Sequence, residues 1–203
     1  MTTPLETVTV YARLLKEAGL LTTGARGRNA PDMTPLDAAR LVLAILTTNS
    51  PSQCVERVRR FGQIPYSPAF RKIYRGYETM QPDKFSELFK GETLEEVLAH
   101  LFSLPSAMGI KASAEWFHDH VFHLRISDFD VLAELFEWKM DSGEIVGELV
   151  VPFRGEVMVQ GPDGFRHTEA FTVIKGGVRT ERSTTAINLY SVGLGLASNA
   201  KGK

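Results

Sequence analysis

The stretch EWFHDHVFH gathers Glu115, His118, Asp119, His120 and His123, the residues of this chain best suited to bind a metal or move a proton. Residues three apart share a helix face, so Glu115 and His118 form one half of the carboxylate-histidine device found in di-metal bundles. The sequence contains no second copy of that half, and His118 and His120 would diverge by about 200° on one helix. The expectation is a mixed surface helix with packed Trp116, Phe117 and Phe122, and no metal. Asp128 and Asp130 in SDFD could pair as carboxylates, but acids at a helix start complement its positive dipole end without any chemistry. GARGRNAP, from Gly24 to Pro31, lacks the Gly-Lys-Ser/Thr ending of a phosphate-binding loop, and a Gly-x-Ser-x-Gly elbow is missing. Cys54 is the only cysteine. This excludes an intramolecular disulfide framework and a multi-cysteine zinc site, and it fits a reducing compartment. The sequence is therefore read as a non-enzyme that needs no cofactor.

Positive charge is more informative. The net charge is −1, yet residues 1–75 hold eleven Lys/Arg against five Asp/Glu, a surplus of six that leaves the remainder at −7. A basic first half suits a polyanion, and an acidic second half would be repelled by one. The cations cluster in three places: Arg26 and Arg28 in a glycine-bearing connector, Arg57, Arg59 and Arg60 in a helix-like stretch, and Arg71, Lys72 and Arg75 beyond it.

Leu5, Val8, Tyr11, Leu14, Leu15 and Ala18 recur at three-and-four spacing, which predicts a first helix over 5–21 with a stop at Gly19. Thr34 as N-cap, Pro35 at the first helical position and Asp37 in the first turn open a second helix, ending near Thr47. Ser50, Pro51 and Gln53 repeat that pattern ahead of a third helix, CVERVRRFG. Residues 82–103, 112–124 and 128–140 read as further helices, the first split around Gly91. Past Gly143 the β-branched stretches 147–160, 165–175 and 178–192, separated by GPDG and KGG, predict an antiparallel hairpin array, and the tail INLYSVGLGLA fits a strand or a helix.

The stretch TVTVYARLLKEAGLLTTGARGRNAPDMTP, residues 7–35, resembles the recognition helix and wing of bacterial and phage winged helix-turn-helix proteins, the MarR-like type included. That resemblance implies a groove-facing or phosphate-facing helix carrying Thr7, Thr9, Tyr11, Arg13 and Lys16, with Arg26 and Arg28 on the wing. A rival placement takes DAARLVLAIL, the TTNSP turn and SQCVERVRRFG as the helix-turn-helix, with Ser52, Gln53, Arg57 and Arg60 facing the duplex.

The fold expected is α+β: a helical N-terminal DNA-binding-like module, a helical middle and an antiparallel β-rich C-terminal region. Residues 1–75 would form the basic module, and 76–203 an acidic α+β domain, helical over 82–140 and β-rich over 145–197. The functional expectation is a non-enzymatic protein that binds double-stranded DNA through Thr9, Arg13, Lys16, Arg26, Arg28, Arg57 and Arg60. It would be a bacterial or phage-type transcriptional regulator acting as a homo-oligomer, in first place a dimer. Two other readings fit: a DNA-packaging subunit resembling phage small terminases, and a protein-interaction module or inhibitor working through the acidic half. No uninterrupted apolar run of about 18 residues occurs and the start lacks signal-peptide features, so a cytoplasmic location away from membranes is expected.

Overall fold

A computed structural model describes residues 3–24, 31–66, 72–74, 93–127, 132–141, 144–154, 157–160, 166–169 and 181–201. Its first helix, α1 (Leu5–Glu17), buries Tyr11 and Leu15 on one face. Gly19, at φ 70°, ends it in the left-handed region that glycine enters without a Cβ clash. A capping box opens α2 (Pro35–Thr47), because the Asp37 N–H donates to Thr34 Oγ1 at 3.1 Å and the Thr34 N–H donates to Asp37 Oδ2 at 2.9 Å.

The start of the third helix differs from expectation. A 3₁₀ turn, Pro51–Gln53, leads into α3 (Cys54–Gly62), and Ser50 makes no side-chain cap. Thr48 Oγ1 instead accepts the Ser50 N–H at 2.9 Å, while the Ser50 and Ser52 hydroxyls meet at 3.0 Å. A buried threonine upstream thus takes the Ser50 N–H that the Gln53 side chain would accept in a capping box, and the Gln53 N–H donates to the Ser50 carbonyl at 3.1 Å.

The short strand β1 (Lys72–Tyr74) precedes α4 (Leu94–Met108) and α5 (Ile110–Asp119). Antiparallel strands follow: β2 (His120–Ser127), β3 (Leu132–Asp141), β4 (Glu144–Arg154), β5 (Val157–Gln160), β6 (Arg166–Glu169) and β7 (Glu181–Thr185). They make one sheet in the order β1-β4-β3-β2-β7 and a separate β5-β6 pair. A closing helix, α6 (Ala186–Lys201), takes up the whole of the tail INLYSVGLGLA that the sequence left open. The fold class is α+β; past residue 143 strands occupy 144–154, 157–160, 166–169 and 181–185, but residues 186–197 of the region expected to be β-rich are helical, and 161–165 and 170–180 lie outside the described residues. The helix split expected around Gly91 lies outside the described residues.

Two expected helices are corrected. The chain leaves α5 at Asp119 and runs as β2 through 120–124, and residues 132–140 belong to β3. Leu132, Leu135 and Phe136 carry helix-like spacing, but Ala133 and Leu135 also alternate with Glu134, and pairing selects the period of two. Leu124 stands opposite Leu135 and Ile126 opposite Ala133, all four buried. Arg125 and Glu134 pair directly across the strands on the other face, joined by an ion pair.

One hydrophobic cluster connects the elements. It runs from Tyr11 and Leu15 through Leu43, Phe61, Leu98 and Phe102 to Leu124, Phe153 and Leu189. Its members come from both sides of residue 75. Helix α4 packs on both α2 and α6. The α4–α6 contact is close at Gly193, where an added Cβ would lie 3.0 Å from the Phe102 carbonyl oxygen and 3.0 Å from Pro105 Cγ.

Candidate functional site

The amphipathic spacing of α1 divides it into two faces. Thr9, Arg13 and Lys16, at i, i+4 and i+7, lie on its exposed face. Thr9 Oγ1 donates back to the Leu5 carbonyl at 2.9 Å. Arg13 Nε stands 3.7 Å from Glu17 Oε1, both side chains well exposed, and such a pair holds its partners weakly enough for a phosphate to compete. The exposed Arg59 of α3 reaches toward the end of this helix, its Nη2 3.5 Å from the Ala18 carbonyl oxygen. Exposed cations thus stand on two helices, Arg13 and Lys16 on α1 and Arg59 on α3, the last reaching the C-cap of α1.

Arg57, expected to face a duplex, lies inside at 7% exposure, and Arg60 is half-buried. The reason is legible in α3. Cys54, Val58 and Phe61 form its buried stripe, Arg57 falls three residues after one member and four before another, and Arg59 projects away from all three. The outward position therefore passes from Arg57 to Arg59, and the apolar spacing of CVERVRRFG is the signal that could have found it. Ser52 and Gln53 are exposed as the rival placement requires. Arg26 and Arg28, with the wing assigned to them, lie outside the described residues, as do Arg71 and Arg75.

Arg40 is occupied within the fold. Its guanidinium donates to both carboxylate oxygens of buried Glu95 at 3.0 Å each and to the Leu20 carbonyl at 2.9 Å. The hydrogen bonds to Glu95 push its pKa upward against the opposing effect of burial. Asp37 is likewise structural. Burial alone would raise its pKa, but the Thr34 and Thr22 backbone N–H groups and hydroxyls outweigh it and hold the carboxyl below its ordinary value. Burial pushes the Cys54 thiol up, away from the thiolate a nucleophile needs.

The histidine-rich stretch is split by the helix-to-strand change. Glu115 and His118 are exposed on α5, whereas His123 lies on β2 with its ring 5.9 Å from that of Trp138. Among the described residues no three His, Cys, Asp or Glu side chains gather in a way that could hold a metal ion. Nor is any described helix long and apolar enough to cross a membrane.

The other face of α1 borders a cleft of about 760 Å³. Its walls are the N-terminal turns of α1, the C-terminal end of α2 and the junction of β7 with α6. Thr7 on the cleft side and Thr9 on the cation side are separated by about 200° around the helix. Sequence reading missed this cleft because its walls come from segments more than 130 residues apart, Thr3 to Asn49 and Ser183 to Val192.

No family model, curated protein or solved structure matches the chain.

Proposed function

We propose that the protein binds double-stranded DNA without catalysing a reaction on it, and serves as a bacterial or phage-type transcriptional regulator. The observation that carries this reading is the exposure of Arg13 and Lys16 on α1 and of Arg59 on α3, whose guanidinium reaches the C-cap of α1, in the basic half of the chain. Lys and Arg side chains so placed gain affinity for phosphates by releasing counterions. Helices α2 and α3 are consecutive and joined by residues 48–53, a connection somewhat longer than the three- or four-residue turn of a helix-turn-helix. Thr9 on α1, or Ser52 and Gln53 ahead of α3, offer the polar side chains that read base edges. A module of this size gains sequence preference by binding two half-sites, so the active species is a dimer.

The test is a titration with random-sequence duplex DNA at several salt concentrations, run beside a mass measurement. Binding that weakens linearly in log affinity against log salt is the expected result, with a slope set by about 0.9 per phosphate contact. No duplex binding at about 50 mM salt overturns the reading.

A further inference from the structure

We infer that the cleft between α1, α2 and the β7–α6 junction is a binding site for a small, uncharged, amphipathic molecule, one with an apolar body and a carbonyl, amide or hydroxyl group. Its size and composition carry the inference. A volume of about 760 Å³ falls within the range of small-ligand sites, which are also concave and largely apolar with a few placed polar groups.

The wall has two chemical zones. Val42, Leu46, Leu189 and Val192 supply an aliphatic surface from α2 and α6. Thr7, Asn49, Ser183 and Asn188 supply hydroxyl and amide groups from all three sides. Two neighbouring groups are already engaged: the Tyr11 hydroxyl donates to the Thr48 carbonyl at 3.1 Å, and Asn188 Nδ2 donates to Thr184 Oγ1 at 3.3 Å. The second bond uses an amide hydrogen and leaves the Asn188 Oδ1 lone pairs able to accept from a ligand N–H or O–H.

Charge selects the ligand class. Among the described residues, no Asp, Glu, Lys, Arg or His side chain lines the cleft. A carboxylate or ammonium brought into it would surrender hydration with no countercharge to replace it, whereas a neutral amide or hydroxyl would exchange water for hydroxyl and amide partners. The aliphatic zone favours a ligand with an alkyl or ring portion over a fully polar one.

Isothermal titration with octanamide, octanoate and octylamine tests this, because the three share a chain of one length and differ in charge. The expected result is saturable binding of octanamide and at least tenfold weaker binding of the two charged probes. Two variants place the binding in the cleft. Val192→Trp fills it from α6, and Ser183→Tyr narrows it from β7 at an exposed position that leaves the core untouched. Either variant, if its melting curve stays cooperative, should lose octanamide binding by tenfold or more. Equal binding of all three probes, or octanamide binding that survives in a folded Ser183→Tyr protein, overturns the inference. So does a lack of saturable binding by octanamide and by a panel of uncharged amides, alcohols and lactams of roughly ten heavy atoms. DNA affinity does not enter this readout, so its outcome is separate from that of the regulator reading.

Discussion

Arg40 and Glu95 meet in a two-pronged ion pair, Nε to Oε2 and Nη2 to Oε1, each 3.0 Å, which ties α2 to α4 across 55 residues of sequence. Gln63 Nε2 donates to the same carboxylate at 2.6 Å. Gly62 leaves it room, since an added Cβ there would lie 2.6 Å from Glu95 Oε2. Removing one partner strands the other charge in a largely buried setting. Arg40→Met should lower stability by about 2–4 kcal/mol in urea unfolding, and the double variant Arg40→Met/Glu95→Leu should lose clearly less than the sum of the single changes. Additive losses would show that the two side chains act independently.

The lowered pKa of Asp37 makes a pH prediction. Its folded pKa lies below the unfolded value, so its contribution is complete above an unfolded pKa of about 3.9 and disappears as pH falls through the lower folded value. Asp37→Asn, which loses one acceptor for the Thr22 and Thr34 N–H groups, should cost about 1–2 kcal/mol at neutral pH. The gap between the two proteins should narrow below about pH 4 in urea midpoints measured across pH. A gap that stays constant through acid would place the effect in packing.

Two glycines of α6 provide an internal control. Gly193 sits against α4, while a Cβ at Gly195 would meet nothing within 4 Å. Gly193→Ala should destabilise by about 1–3 kcal/mol because the helices must separate. Gly195→Ala should be neutral or stabilise by up to about 1 kcal/mol through helix propensity alone. Thermal melts of the two variants, side by side, give the signs.

Arg57 and Arg59 should respond in opposite ways. Arg59→Ala, on the exposed side of α3, should weaken duplex binding and reduce the salt slope by about one, with little change in melting temperature. Arg57→Ala should act mainly on stability, since it empties space beside the core at 7% exposure. If Arg57→Ala alone abolishes DNA binding in a protein that melts normally, the interface assigned to α1 and Arg59 is wrong. The same titration with Arg13→Ala/Lys16→Ala gives the contribution of α1.

Local signals were sufficient where one short segment carries its own determinant. The Thr34-Pro35-Asp37 start of α2, the Gly19 exit from α1 and the apolar stripe of α1 depend on interactions within about one helical turn, and they appear in the structure as their residue types imply. The stop at Thr47 was equally legible. The basic character of the first half was plain from composition; of the five α1 residues expected to face outward, Thr9, Arg13 and Lys16 are exposed, whereas Tyr11 is buried and Thr7 turns to the cleft, as helix spacing requires.

Other features depended on partners far along the chain. LAELFEWKM satisfies a helical and an extended period alike, and the neighbouring strands β2 and β4 decide between them by burying Ala133 and Leu135. Ala186–Lys201 becomes a helix that packs on α4, a contact made where a glycine admits it. Arg57 turns inward because α3 has a core to face, and Arg40 is claimed by a carboxylate 55 residues away. Composition and local sequence by themselves determined that this chain carries separated charge and a capped α2. Only packing decided which cations reach solvent and that a neutral cleft opens behind α1, because exposure and concavity arise from pairs of surfaces that no single segment contains.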